Sequence, residues 1–222
     1  MIKDRTREIL RNLPEGVDLL AATKERSISE IKEAISGGIK LIGENYVQEA
    51  RTKIGFIGPE VKWHLIGHLQ KNKVKQAVKV FDCIETLDSY SLAETIDEEC
   101  QKINKVMPVL IEINSAGESQ KCGVFPDEAE SFLRSILGFK NLQLKGLMTM
   151  GPWEEDPERL RPYFKNVKKL FDKIKTNYEG ILEWKYLSMG MSSSYKVAAE
   201  EGANIIRVGT AIFGPRRSKQ VF

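Results

Sequence analysis

Short runs of hydrophobic residues recur along the whole chain and are separated by longer stretches with a different pattern. Short runs rich in Val, Ile and Leu are typical of buried strands in a parallel sheet. The strands predicted from them cover residues 17–23, 40–43, 61–67, 83–86, 108–114, 142–150, 184–189 and 204–208.

The stretches between these runs carry hydrophobic residues on one helical face. Phe164, Val167 and Phe171, for example, are separated by three and four positions, which is the spacing of an amphipathic helix. The helices predicted in this way cover residues 3–12, 29–36, 91–104, 127–137, 163–178 and 194–201. The basic run over residues 71–79 is interpreted as the solvated face of a further helix.

Eight strands that alternate with helices predict a parallel sheet in an α/β protein. Eight such units in 222 residues fit a single (β/α)8 barrel of the TIM type, and no linker or repeat divides residues 1–222 into separate domains. An open doubly wound sheet is the alternative, but it usually has fewer strands, and no GxGxxG pattern follows the first strand. Because few residues follow the last strand, we expect the N-terminal helix to fill the position of the helix after strand eight.

Charge and hydropathy exclude several classes of protein. The chain has 34 Lys and Arg against 31 Asp and Glu, and its net charge of +3 is too small to indicate a nucleic-acid partner. No stretch approaches the roughly 18 consecutive apolar residues of a membrane span. Residues 1–13 are charged throughout, so we expect neither a secretory signal nor a membrane partner.

The cysteines and histidines predict neither disulfides nor a metal site. Cys83, Cys100 and Cys122 are odd in number and far apart, which indicates a reduced protein of the cytoplasm. No CxxC pair is present, and the sequence contains only two histidines, His64 and His68. A buried, hydrogen-bonded side chain is the interpretation for His64.

Two turns at the ends of the last strands predict an anion site. Barrels of this type carry their functional residues at the carboxyl ends of the strands, often with a phosphate held after strands seven and eight. Residues 190–194 form a Gly/Ser turn before a helix, and Gly209 and Thr210 form a second turn. Backbone N–H groups and hydroxyls in such turns bind anions. The alternative is simple capping of the helix by Ser192 or Ser193.

Lys24 follows the first strand, which neighbours the eighth strand in a closed barrel. It shares its alternation with Leu20 and Ala22, so all three residues lie on one face of the strand. If that face points into the barrel, the amine is partly removed from water, and a neutral amine can form a Schiff base. The alternative is an ordinary solvated lysine at a strand end.

Arg207 and Asn45 complete the candidate residues. Arg207 shares its alternation with Ile205 and Gly209, and a guanidinium inside a barrel needs an acceptor. That acceptor is either a ligand or a glutamate such as Glu44 or Glu112. Asn45 follows the second strand, where its amide can bind an oxygen of a ligand or act as a turn residue.

At this point several segments resemble a known family. They are LLAATK (19–24), IGENYVQEA (42–50), WHLIGHLQKNK (63–73), GLMTM (146–150), LSMGMSSSY (187–195) and IRVGTAIFG (206–214). The combination is similar to the pyridoxal phosphate homeostasis proteins, which have the fold of the N-terminal barrel of alanine racemase. The resemblance covers nearly the whole chain.

The resemblance implies a role for each candidate residue. It implies that Lys24 holds pyridoxal 5'-phosphate as an internal aldimine and that the phosphate-binding positions are Ser192, Gly209 and Thr210. The other two implied roles are a contact of Arg207 with the pyridine nitrogen and a position of Asn45 near the cofactor. The family often has a proline at the position of His68 and an acidic residue near 193–194, which leaves details of the pocket rim open.

An arginine beside the pyridine nitrogen keeps that nitrogen unprotonated, which weakens the ring as an electron sink. This favours a non-catalytic protein that stores, buffers and delivers the cofactor, with PLP-dependent apo-enzymes as possible recipients. In racemase relatives a second domain supplies the opposing base and the dimer contact. Phe222 lies eight residues after Gly214, so we expect no such domain and a monomer. The alternatives are a racemase-like enzyme of low activity and a cofactor-free Schiff-base aldolase.

Overall fold

A computed structural model describes residues 1–118 and 120–215. Eight parallel strands close into a barrel in chain order, and the first strand pairs with both the second and the eighth. The strands are β1 (Asp18–Ala22), β2 (Leu41–Glu44), β3 (Lys62–Leu65), β4 (Cys83–Leu87), β5 (Met107–Glu112), β6 (Leu142–Met148), β7 (Tyr186–Ser188) and β8 (Ile205–Val208).

Helices surround the barrel and connect successive strands. They are α1 (Ile2–Arg11), α2 (Ile28–Ser36), α3 (Val47–Ile54), α4 (Val74–Val80), α5 (Tyr90–Gln101), α6 (Ala129–Ile136), α7 (Arg161–Asn177), α8 (Tyr195–Glu200) and α9 (Thr210–Phe213). Short 3-10 turns precede two of them, at Lys71–Lys73 and Pro157–Leu160. Among the helices of residues 1–118 and 120–215, none is long and apolar enough to cross a membrane.

The closed parallel barrel confirms the predicted fold class and excludes the open doubly wound sheet. All eight predicted strands and all the predicted helices are present. The predicted strands over residues 61–67 and 184–189 are each shortened by three residues, to Lys62–Leu65 and Tyr186–Ser188. The sequence did not predict α3, whose hydrophobic face is sparse and whose buried residues include Lys53.

Alternation along the strands separates two hydrophobic regions. The larger core lies between the strands and the helices. The barrel interior is filled by two small clusters, one formed by Leu20, Ile66 and Ile205 and the other by Cys83, Leu110 and Met148. Leu20 therefore faces the interior, as does the face of β1 that continues to Lys24.

The N-terminal helix closes the outer ring between the first and last units. Helix α1 packs against α2 and against the short α9. The Arg5 side chain donates a hydrogen bond of 2.7 Å from Nε to the carbonyl oxygen of Ile212 in α9. This arrangement confirms that α1 occupies the place of a longer helix after β8.

Candidate functional site

The predicted site residues all lie at the carboxyl ends of strands on one side of the barrel. Lys24 and Asn45 follow β1 and β2, Ser192 follows β7, and Arg207, Gly209 and Thr210 lie at the end of β8 or directly after it. Because β7, β8, β1 and β2 are consecutive neighbours in the closed sheet, these six residues share one sector of the barrel mouth.

Lys24 is half-buried above the interior cluster of β1. Its Nζ atom lies 5.0 Å from the ring centroid of Tyr46, so the amine contacts the face of an aromatic ring from the neighbouring loop. Below it, Ala22 packs against the cluster that contains Leu20. The small Ala22 side chain leaves room beside the amine. Tyr46 was not singled out from the sequence, although it belongs to the IGENYVQEA segment.

The turns after β7 and β8 are joined by hydrogen bonds from backbone to side chain. Ser192 Oγ accepts hydrogen bonds from the N–H groups of Gly209, at 3.1 Å, and Ala211, at 3.3 Å. Ser192 and Ala211, together with Ser193, Thr210 and Pro215, line an open cleft next to Gly209. The Ser192 and Thr210 hydroxyls and the Gly209 and Ala211 N–H groups therefore lie close together. Hydroxyl and N–H donors of this kind bind phosphate.

Helix capping does not explain Ser192. The residue that precedes α8 is Ser194, and Ser194 Oγ accepts a hydrogen bond of 3.1 Å from the N–H of Met191. Neither Ser192 nor Ser193 is the N-cap, so that alternative is wrong. The turn is instead held by Ser194, which leaves the Ser192 hydroxyl directed at the end of β8.

Gly209 keeps space open between β8 and β1. A Cβ atom there would lie 3.4 Å from the carbonyl oxygen of Ala22 and 3.6 Å from its Cβ. A side chain would therefore fill the gap between the cleft and the residues below Lys24. The donors, the gap and the nearby amine fit a ligand that carries both a phosphate and a group reactive toward amines.

Arg207 is buried in the barrel interior and has protein acceptors. It donates hydrogen bonds of 2.7 Å to Ser188 Oγ and to the carbonyl oxygen of Thr149. Ser188 in turn donates one of 2.6 Å to Oε2 of Glu85. Burial lowers the pKa of Arg207, whereas the charges of Glu85 and Glu112 raise it.

The glutamates expected to bind Arg207 are arranged differently. Glu44 faces the helices, where its Oε1 lies 2.5 Å from Lys53 Nζ and accepts a hydrogen bond from Thr23, so this alternative is wrong. Glu112 interacts with Arg207 only through its charge among the contacts of the described residues. The acceptors that the sequence did not reveal are Ser188 and the Thr149 carbonyl group, and the negative charge next to them is Glu85, a polar residue inside the predicted strand 83–86.

Glu85 connects Arg207 to His64 across the barrel interior. Its Oε1 lies 2.6 Å from Nδ1 of His64, which confirms the prediction of a buried, hydrogen-bonded histidine. Burial would raise the pKa of Glu85, but the His64 hydrogen bond, the His64 and Arg207 charges and Ser188 together lower it. Glu85 is therefore an anion that neutralises buried cationic charge below the mouth.

Asn45 lies beside this sector but lines a different cleft. That cleft is shared with Gln48, Gly67 and Lys73. A Cβ atom at Gly67 would lie 2.4 Å from the carbonyl oxygen of Asn45, so only glycine allows the two loops to approach this closely. The structure thus places Ser192 and Thr210 in one cleft, with Gly209 hydrogen-bonded to Ser192, and Asn45 in another cleft.

A third cleft, of about 310 Å³, opens on the far side of the mouth. Its walls include Glu112, Cys122 and the exposed Trp153. Burial raises the pKa of Glu112 to about 7, with a further contribution from the charge of Asp88, while Arg207 opposes the shift. Glu112 therefore exchanges its proton near neutral pH.

Comparison with known proteins agrees with this geometry. The sequence pattern of the alanine racemase N-terminal domain family matches residues 1–217. A protein of Aquifex aeolicus named pyridoxal phosphate homeostasis protein is 41% identical over 200 residues, which are 90% of this chain and 87% of that protein. The chain belongs to the pyridoxal phosphate homeostasis proteins. This confirms the resemblance found in the six sequence segments.

Solved structures of similar proteins extend the family assignment to the whole fold. PipY of Synechococcus elongatus, solved with PLP bound, is 31% identical with a TM-score of 0.88, and the match covers 96% of this chain and all of that chain. An alanine racemase of Clostridium difficile is 16% identical with a TM-score of 0.78 and is covered over 60% of its length. The racemase shows only that this family shares the racemase barrel.

Proposed function

We propose that this protein binds pyridoxal 5'-phosphate and stores, buffers and delivers it within the cell. The observation that carries the proposal is the position of Lys24 beside the Ser192–Gly209 turns, at the ends of the adjacent strands β1 and β8. The PipY structure with PLP bound and the family of homeostasis proteins support the choice of this ligand.

Lys24 is the proposed covalent attachment point. The cofactor supplies an aldehyde that condenses with amines and a ring that withdraws electrons. Lys24 contributes the amine, and the Tyr46 ring, 5.0 Å from it, holds that amine at the mouth. Lys24 shares the interior-facing side of β1 with Ala22, which lies next to Gly209.

The turn residues are the proposed phosphate site. The Ser192 and Thr210 hydroxyls and the Gly209 and Ala211 N–H groups supply four donors at one cleft. Charge-assisted hydrogen bonds of this kind are stronger than neutral ones. In the absence of an anion the Ser192 hydroxyl satisfies both N–H groups.

We place Arg207 at the pyridine nitrogen and Asn45 at the edge of the ring. Ser188, Thr149 and the charge of Glu85 hold the guanidinium fixed in the interior. A guanidinium donates hydrogen bonds but does not give up its proton, so it cannot protonate the ring nitrogen. This arrangement suits holding the cofactor better than stabilising a carbanion.

We further infer a monomer of the cytoplasm that passes the cofactor to PLP-dependent apo-enzymes. Cys83, Cys100 and Cys122 are all free, which suits a reducing compartment. Size-exclusion chromatography with light scattering tests the monomer, for which a mass near 25.2 kDa is expected.

A racemase-like activity of low rate is the second candidate function. A two-base racemase needs a second proton carrier in addition to the lysine. Glu112, whose pKa is about 7, lies in the cleft on the far side of the mouth and meets the chemical requirement for such a group. A racemase assay of the wild-type protein and of Glu112→Gln distinguishes this candidate, since only a catalytic Glu112 makes turnover depend on the substitution.

Borohydride reduction tests the central assignment. We expect reduction of the PLP-loaded protein, followed by peptide mass analysis, to place the pyridoxyl group on Lys24. Lys24→Ala should lose the visible absorbance of the bound cofactor, whereas Lys73→Ala, a matched lysine in the cleft of Asn45, should keep it. A pyridoxyl group found mainly on another lysine would overturn the role of Lys24. Absence of bound PLP in all variants would overturn the function itself.

A further inference from the structure

Three chemically distinct ligand groups meet on the side of the mouth opposite the proposed cofactor contacts. His68 follows β3, Asp88 follows β4, and Cys122 lies in the loop between β5 and α6. His68 Nδ1 lies 3.4 Å from Cys122 Sγ and 3.5 Å from Oδ2 of Asp88. All three ligand atoms lie within 4.8 Å of one another.

The two distances from His68 match the edges of a metal tetrahedron. For zinc with bond lengths of about 2.0 to 2.3 Å, neighbouring ligand atoms are separated by about 3.3 to 3.6 Å. The two separations from the imidazole nitrogen, 3.4 and 3.5 Å, fall in that range. A cation can therefore be placed among the three atoms with small side-chain adjustments.

The backbone around the cluster is held in place by buried hydrogen bonds. Thr86 Oγ1 donates a bond of 2.9 Å to the carbonyl oxygen of Gly67, which ties the end of β4 to the residue before His68. Asn114 Nδ2 donates bonds of 2.8 and 3.3 Å to the carbonyl oxygens of Glu118 and Lys121, next to Cys122. These hydrogen bonds thus hold the backbone next to two of the three ligands, His68 and Cys122.

An unsatisfied polar atom lies in the same cleft. Asn114 is 4% exposed, lines the cleft, and its Oδ1 atom has no hydrogen-bond partner in the described part of the chain. A buried amide oxygen without a partner is costly unless a water or ligand occupies the adjoining space. Asn114 therefore adds a buried, unpaired oxygen to the wall of the cleft, next to the loop that carries Cys122.

The local charge favours a cation. The carboxylates of Asp88 and Glu112 both interact electrostatically with the Cys122 thiol. The nearest basic group, Lys121, is neutralised by Glu118, whose Oε1 lies 2.6 Å from its Nζ. Asp88 is largely buried, with 14% of its side chain exposed, and a carboxylate removed from water in this way benefits from a positive partner.

We propose that His68, Asp88 and Cys122 bind one divalent cation of the zinc type. The ligands are the Nδ1 atom, one carboxylate oxygen and the thiolate, with water in a fourth position that faces the cleft. The thiol proton is released to solvent when the metal binds. A thiolate with an imidazole selects zinc over magnesium or calcium, which prefer oxygen ligands alone.

This proposal departs from the sequence prediction of no metal site. That prediction rested on separation along the chain, but the closed barrel places the ends of β3, β4 and β5 side by side. The proposed metal ligands follow β3 to β5 whereas the proposed cofactor contacts lie on β7, β8, β1 and β2, and the two groups of residues meet only where His68 lines the cleft of Asn45.

Competition between the full-length protein and a chromophoric zinc chelator provides the test. We expect one zinc per chain and a loss of affinity of about tenfold or more in each of Cys122→Ser, Asp88→Asn and His68→Gln. The matched control is Asp127→Asn, an exposed acid on the same connection outside the cluster, which should retain the wild-type affinity. Circular dichroism melting verifies that each variant is folded.

A second measurement uses only the wild-type protein. Cobalt(II) in place of zinc should give a thiolate-to-metal charge-transfer band in the near ultraviolet, and zinc should protect Cys122 from alkylation. Cys83 and Cys100 are buried and serve as internal references. Absence of a charge-transfer band, or equal alkylation of Cys122 with and without zinc, would overturn the proposal, as would wild-type zinc affinity in Cys122→Ser.

Discussion

Polar residues inside this barrel form a connected series that partners the buried charges of Arg207 and Glu85. Arg207, Ser188, Glu85 and His64 form one hydrogen-bonded series from β8 to β3. Removal of one member of such a series leaves an uncompensated charge, which is more destabilising than the series is stabilising. The intact series holds the Arg207 guanidinium at one position below the mouth of the barrel.

Removal of the Thr210 hydroxyl tests the proposed phosphate site. Thr210→Ala should weaken PLP binding by about 1–3 kcal/mol, because a hydrogen bond to a charged group is lost. Ser193→Ala is the matched control, since Ser193 lines the same cleft but has no proposed contact with the phosphate. Binding is measured by fluorescence titration. Pyridoxal without its phosphate should bind more weakly and be insensitive to Thr210→Ala, and equal affinities for the two ligands would contradict a phosphate site.

At Glu112 the raised pKa predicts a dependence of stability on pH. A carboxyl group whose pKa rises on folding, here to about 7, stabilises the protein at low pH and loses that contribution as the pH rises through the folded value. The substitution Glu112→Gln removes this titrating group, so the variant does not lose stability from it as the pH rises. Between pH 5 and pH 8, the free energy of unfolding of the variant should therefore rise by about 2 kcal/mol relative to that of the wild type.

Urea denaturation of both proteins at the two pH values measures this difference. Glu128→Gln, an exposed substitution at the start of α6, serves as the control and should follow the wild type. A stability difference between wild type and Glu112→Gln that does not change with pH would show that Glu112 titrates near its ordinary value.

At the scale of elements, the helix after the proposed lysine begins with a reciprocal cap. The N–H of Glu30 donates a bond of 3.3 Å to Ser27 Oγ, and the N–H of Ser27 donates one of 2.8 Å to the Glu30 carboxylate. This capping box fixes the start of α2 three residues after Lys24. The cap therefore helps to set where the loop after β1 ends.

Ser27→Ala should lower the free energy of unfolding by about 1 kcal/mol, because an N–H group at the start of α2 loses its acceptor. Ser29→Ala is the matched control in the first turn of the same helix, where alanine has the higher helix propensity. Chemical denaturation compares the two. Equal stabilities of the two variants would contradict a stabilising cap.

At the scale of the whole molecule, the open mouth predicts a carrier rather than an efficient enzyme. The proposed phosphate cleft is open, and Thr210 is exposed at its rim. An open site lets cofactor enter and leave but does not exclude water from a reacting carbanion. We expect racemase and transaminase turnover well below the usual range of about 1–1,000 per second for all amino acids.

The same assay should include transfer to an apo-enzyme. Carrier function predicts that loaded protein restores activity to a PLP-dependent apo-enzyme faster than the cofactor is released into buffer. If the apo-enzyme is activated no faster than the cofactor is released into buffer, the protein stores the cofactor but does not deliver it. Turnover within the usual enzyme range for any amino acid would contradict the carrier function.

Local patterns were sufficient to predict the barrel and to propose residues for its site. Hydrophobic spacing is set by residues a few positions apart, so all eight strands were found, and alternation correctly placed Lys24 and Arg207 on the inner side. The hydrophobic pattern did not predict the helix α3, because its buried positions include the charged Lys53. The partners of Lys53 are Glu44 at the end of β2 and Glu49 on the same helix.

What only the tertiary structure decided is which distant side chains meet. Glu85 reaches Arg207 through Ser188 across the interior, although alternation gave no reason to choose it over Glu44 or Glu112. His68 and Cys122 are 54 positions apart in the chain and 3.4 Å apart in space. Hydrophobic periodicity determines which face of a strand is buried, whereas closure and stagger of the barrel determine which strand ends lie opposite one another. The sequence therefore predicted the fold and the place of the site, and only barrel closure determined the pairing of its charges.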